Sequence, residues 1–106
     1  MIITTGNDIQ GYVITEYLGV VRGIIVRSTG FTKGLIGTLR SIWGGNIPEY
    51  ASVCEEARRQ AYDLLIQHAQ ERGADAIIAM RYDATEFTAG TTEVLAYGTA
   101  VKCHMS

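Results

Sequence analysis

Residues 11–27 are rich in valine, isoleucine and tyrosine, the texture of one long β-strand or of two joined by a bend. Side chains alternate across a strand, so Tyr12, Ile14, Leu18, Val20, Ile24 and Val26 fall on one face and Val13, Tyr17, Val21 and Ile25 on the other. Both faces are apolar. The domain's own helix can cover one of them; the second needs another sheet or another subunit. Gly19 and Gly23 inside the run mark a bulge or a close backbone approach.

A different period follows. Tyr50, Cys54, Ala57, Ala61, Leu64, Leu65 and His68 fall within a band ~100° wide at ~3.6 residues per turn, which predicts a long helix with that band on the sheet. Asn46 suits its N-cap, Pro48 its first turn and Glu49 a capping box, while Gly73 is the natural residue just past its end, with Arg72 in the last turn. Ala57 and Ala61 at the centre of the band let the helix approach the strands closely. Tyr62, Ile66 and Ala69 form a second, weaker stripe suited to a subunit contact. Before the helix, Leu35, Leu39, Ile42 and Trp43 recur at helical spacing among glycines and predict a short helix of about two turns. After it come a buried strand over 76–82, turn residues over 83–90 and a final long strand over 91–102. The expected fold is α+β in two layers, an antiparallel sheet covered on one side by one long and one short helix.

With 106 residues the chain forms a single domain spanning 1–106. A chain of this size buries only about two thirds of its unfolded surface, so its core is thin. Apolar residues at 47% and charged residues at 19% exclude disorder. The net charge of −2 and the scattered lysines and arginines give no footprint for a phosphate backbone, so nucleic acid is not an expected partner. No leader pattern opens the chain, and no apolar run reaches the ~20 residues of a membrane span, so a soluble cytoplasmic protein is expected. Cys54 and Cys103 read as free thiols.

Several stretches together resemble the YbjQ family: Tyr17-Leu18-Gly19-Val20-Val21-Arg22-Gly23, Trp43-Gly44-Gly45, Ala57-Arg58, Gly73-Ala74-Asp75-Ala76-Ile77 and Glu93-Val94-Leu95-Ala96-Tyr97-Gly98-Thr99-Ala100-Val101. The resemblance implies a dodecin-like subunit assembled into a homopentameric ring. It carries a heavy-metal-binding label and no established activity.

The candidate soft ligands are Cys54, His68, Cys103, His104 and Met105. Cys54 and His68 lie ~21 Å apart along a helix and cannot share an ion. One chain does not offer the four ligands of a closed zinc site, but copies of Cys103 or His104 converging on a symmetry axis would suit a soft metal such as copper. The carboxylates Asp75, Asp83, Glu86 and Glu93 surround the hairpin. Arg58 on the helix flank is expected to pair with one of them, such as Glu93, and so to fix how the helix docks. Tyr97, Tyr62 and Ile66 join Arg58 and Glu93 as expected structural or interface residues. The segment Gly30-Phe31-Thr32-Lys33-Gly34, with Arg40, has the glycines and cations of a phosphate cradle but not the spacing of a P-loop. No nucleophile elbow is present, and no catalytic residue or cofactor is assigned.

Three readings of function follow. The leading one is a non-enzymatic, homo-oligomeric binding or scaffold module with any ligand at its subunit interfaces. The second is a heavy-metal-binding protein using Cys103 and His104 around an axis. The third is an oligomeric enzyme acting on a small anion through Arg58, Lys33 and the hairpin carboxylates.

Overall fold

The computed structural model describes residues 1–28, 48–88 and 90–106. The expected short helix, Lys33, Arg40 and the N-cap Asn46 lie outside the described residues. The described elements are β1 (Ile2–Ile3), β2 (Tyr12–Ser28), α1 (Pro48–Glu71), β3 (Ala76–Thr88) and β4 (Thr91–Met105). They build one four-stranded sheet in the order β1-β3-β4-β2, with α1 packed on one face.

The sheet is mixed rather than purely antiparallel. β2 and β3 both run antiparallel to β4, whereas β1 lies parallel to β3, with Ile2 beside Ala76 and Ile3 beside Ile77. A two-residue strand is too short to show any alternation in sequence, and its partner supplies the pairing. The expected turn over 83–90 also contracts. β3 runs to Thr88, and β4 begins at Thr91 after the left-handed Gly90. Asp83 and Glu86 are therefore strand residues, because pairing along β4 satisfies their backbone where local propensity favours a turn.

Two irregularities in β2 change which side chains face the helix. The register slips between Ile14 and Glu16 and again between Tyr17 and Gly19, where Gly19 has φ +98°. The second bulge sends Leu18 to the helix side and Tyr17 to the far side, the reverse of simple alternation. Gly23 is the close approach. A Cβ there would lie 2.1 Å from the Ala61 carbonyl oxygen and 2.5 Å from the Leu65 nitrogen.

The helix ends as its sequence predicts. The Ala74 amide donates to the Ala69 carbonyl, and that of Gly73, at φ +74°, donates to Gln70, which is a Schellman motif. Its buried line is Ala57, Ala61, Leu65 and Ala69. Ala69 therefore belongs to the core rather than to the second stripe, while Leu64 and Cys54 are exposed. This line packs on Val21, Ile77, Met80, Val94, Ala96 and Ala100, with Leu18, Ile25 and Tyr62 at its margin. On the far face Ala76, Ile78 and Val101 form a smaller cluster, covered by Ile2, Ile9, Ile14 and Cys103.

β3 carries a bulge of its own, where Ala79 adopts φ +53° between Ile78 and Arg81. The freed amides are taken up by the N-terminal segment: Ala79 donates to the Gly6 carbonyl at 2.8 Å and Met80 to Thr4 at 3.0 Å. A left-handed alanine costs about 1–2 kcal/mol, more than the flexibility a glycine adds to the unfolded chain. Ala79→Gly is accordingly expected to stabilise the protein by about 0.5–1 kcal/mol, read as a raised urea midpoint.

Candidate functional site

Strand register defines the face turned away from α1. Tyr17, Val20, Arg22, Ile24 and Val26 of β2 stand there beside Val101, Thr99, Tyr97, Leu95 and Glu93 of β4. Arg81, Asp83 and Thr85 of β3 complete three rows, paired with Tyr97, Leu95 and Glu93. Tyr17, Val20, Ile24 and Val26 remain 68%, 64%, 42% and 57% exposed. Among the described residues the N-terminal segment covers this face near Val101 and reaches Arg81 through Thr5, and the second apolar face of β2 expected from its sequence is largely open. Tyr97 sits between two guanidinium-bearing neighbours, Arg22 and Arg81. The Arg81 Nη1 donates to the Thr5 carbonyl at 2.7 Å and is thereby tied down.

Arg58 is not paired with Glu93. Glu93 belongs to the face away from the helix, whereas Arg58 lies over the Tyr82 ring, 5.6 Å from its centroid, on the helix side. Sequence spacing could not separate the two outcomes, because the choice depends on which residues of the hairpin face α1. Tyr62 adjoins the same spot, in a shallow depression of ≈ 300 Å³ formed with Glu55, Arg58, Arg59 and Tyr82. Burial pushes the Tyr82 phenol above its ordinary range, and neighbouring Tyr62 adds to this while Arg58 opposes it. Ile66 is half-buried on the helix. Arg59 holds Glu56 at 2.6 Å and Asp63 at 3.0 Å, all three exposed. The hydrogen bond from Arg59 lowers the Glu56 carboxyl below its usual range, so what little this pair adds to stability is lost as the pH falls through that lowered range.

The metal candidates are not assembled within one chain. Cys103 pairs with Ile14 on the far face and packs on the small cluster there, while His104 pairs with Val13 and takes the opposite side. The His104 Nδ1 lies 2.9 Å from the Met105 carbonyl oxygen. No group of three or more His, Cys, Asp or Glu side chains suited to an ion occurs among the described residues.

Three polar roles were missed in sequence. The Asp75 carboxylate accepts from the Cys103 amide at 3.1 Å, and the Asp75 amide donates to the Val101 carbonyl, so this residue fastens the helix exit to β4. His68 accepts from the Arg22 amide through Nδ1 at 3.1 Å, and Arg72 donates to the Leu18 carbonyl at 2.9 Å. His68 from α1 and Arg72 from just past its end both reach the outer edge of β2, which no other strand covers among the described residues.

The chain, whose described residues form one helix on a four-stranded mixed sheet, matches a family model described as "Putative heavy-metal-binding" over residues 1–104, and it belongs to this YbjQ family. A UPF0145 protein of Legionella pneumophila strain Corby is 56% identical over 101 residues, covering 95% of this chain and 96% of its own. A UPF0145 protein of Chromobacterium violaceum is 55% identical over 100 residues, covering 94% and 86%. The crystal structure of a protein of unknown function from Pediococcus pentosaceus, of the DUF74 family, is similar with a TM-score of 0.64 at 19% identity. It covers 98% of both chains and bears on the fold alone. No described helix is long and apolar enough to cross a membrane.

Proposed function

We propose that this protein is a cytoplasmic, non-enzymatic binding or scaffold module that works as a homo-oligomer, with any ligand held where subunits meet. The observation that carries the reading is the open apolar face of β2, with Tyr17, Val20, Ile24 and Val26 exposed in a row. Patches of this kind mark interaction surfaces. The molecular shape supports it: the described residues have a radius of gyration of 17.1 Å, against about 13 Å for a compact chain of this length. A chain so extended leaves much of its sheet to be covered by something else. The family resemblance favours a dodecin-like subunit and a closed ring of five, and the helical spacing of Leu35, Leu39, Ile42 and Trp43 favours the short second helix. Every copy in such a ring uses the same heterologous contact.

The family description favours metal binding as a second reading. Because Cys103 and His104 take opposite faces of β4, each supplies one ligand per chain, and an ion-binding set requires several copies around an axis. An enzymatic reading has less support, since the carboxylates of Asp83 and Glu93 lie on the face opposite Arg58 and, of these strand carboxylates, Glu86 alone shares its side of the sheet.

Native mass spectrometry of untagged protein, with and without added copper, tests both. A closed oligomer is the expected result, and a monomer at micromolar concentration would sink the proposal. Copper bound in fixed ratio to subunits, and lost in Cys103→Ala/His104→Ala, would establish the metal reading. Retention of the metal by that variant would remove those two residues from it.

A further inference from the structure

We infer that the first half of α1 roofs a binding site for a short aliphatic monocarboxylate, held by Arg27 and Arg58. The buried line of the helix runs Ala57, Ala61, Leu65 and Ala69, and the next position back along it is Val53, which is 40% exposed. The core therefore ends at Ala57. Below Val53 and Ala57 the sheet offers Ala84 of β3 and Val94 of β4, and between the two layers lies a cavity of ≈ 100 Å³. A water molecule takes about 30 Å³ in the liquid, so this space suits a body of about four carbons rather than a drug-sized ligand.

Two guanidinium groups line the same cavity, one from each flank of β4. Arg27 stands on β2 opposite Thr92, and Arg58 reaches over Tyr82 of β3 from the helix. Among the described residues neither is bonded to a carboxylate: Arg27 donates through Nη2 to the Gln60 Oε1, and Arg58 has the Tyr82 ring. Arg59 is the contrast, with its donors committed to Glu56 and Asp63. Of the hairpin carboxylates Glu86 alone shares this side of the sheet, and it does not line the cavity. A guanidinium presents a planar fork of donors matched to a carboxylate. Aliphatic walls with two such forks complement a branched alkyl group ending in one carboxylate. A bare inorganic anion would leave the walls unused, and a neutral hydrocarbon would leave both guanidiniums unused. The site lies within one chain, apart from any ligand held where subunits meet, and does not rest on the oligomeric reading above.

The probe is isovalerate, titrated into the isotope-labelled whole protein and followed by nuclear magnetic resonance, with isovaleramide as its uncharged counterpart. Saturable shifts are expected at the amides of Cys54, Ala84 and Val94, with a Kd on the order of 1 mM for so few atoms. Isovaleramide is expected to bind about tenfold more weakly or worse, because hydrogen bonds to a charged group are the stronger ones. Cys54 lines the cavity and Cys103 does not, so the two free thiols report occupancy. At about five times Kd, alkylation of Cys54 is expected to slow about sixfold by mass action while that of Cys103 is unchanged, read by peptide mass spectrometry. Ala84→Leu, at an exposed position, is expected to fill the cavity, stay folded and lose the binding. No saturable shift below about 20 mM, equal affinity for the amide, unslowed alkylation of Cys54, or binding retained in Ala84→Leu would each overturn the inference. The comparison of acid with amide on the wild type decides it even if the variant does not fold.

Discussion

Gly23→Ala is expected to unfold a large part of this protein's stability with one methyl group. The added Cβ would stand 2.1 Å from the Ala61 carbonyl oxygen, 2.5 Å from the Leu65 nitrogen and 2.8 Å from the Leu64 Cβ. Two of these are helix backbone, which cannot swing aside as a side chain does. The helix must lift from β2, and the packing of Ala57, Ala61, Leu65 and Val21 loosens with it. Overpacking in a core costs about 1–3 kcal/mol, and a clash with backbone belongs at the upper end, so a loss of about 3 kcal/mol is expected. For a domain of this size that lowers Tm by roughly 15 °C. Gly11→Ala is the control: its φ is +83° but nothing lies within 4 Å, so it carries only the conformational strain of about 1 kcal/mol. Equal Tm values for the two variants, from calorimetry, would mean that the helix does not ride on Gly23.

The double variant Val20→Glu/Ile24→Glu is expected to dissociate the proposed homo-oligomer while leaving the subunit folded. Both side chains belong to the open face and neither joins the core, so the isolated chain loses little. In an interface each carboxylate would be stripped of water without a partner, which costs several kcal/mol. Since about 1.4 kcal/mol is tenfold in affinity, the pair is expected to weaken association by two orders of magnitude or more. Sedimentation velocity would follow the mass and far-ultraviolet circular dichroism the fold. An assembly that persists in the double variant would place the interface elsewhere; a folded monomer would locate it on β2.

Much of the architecture is legible in the chain because it depends on neighbours in sequence. The exit of α1 is an example: Gly73 just past a helical period gives a left-handed cap, and the Schellman bonds follow. The paired apolar faces of β2 and its two meaningful glycines are legible for the same reason, since alternation and the absence of a Cβ are local properties. The candidate sites are far less so. Arg58 lies on Tyr82 instead of Glu93, and Asp75 and His68 acquired polar partners 28 and 46 positions away. A slip of one residue in a strand exchanges its faces, and no count along the sequence records such a slip.

That division has a physical cause. The sequence by itself determined the long helix and its end, the long strands, the small residues beneath the helix and the surplus of apolar surface, because periodicity and backbone freedom are set within a few residues. Only the tertiary structure decided the parallel β1, the bulges that exchange Tyr17 and Leu18, the face on which Glu93 lies and the edge that His68 and Arg72 guard. Each of these depends on which strand lies beside which, and in what register. That choice is made by burial summed over the whole sheet, to which no single stretch of the chain holds the answer.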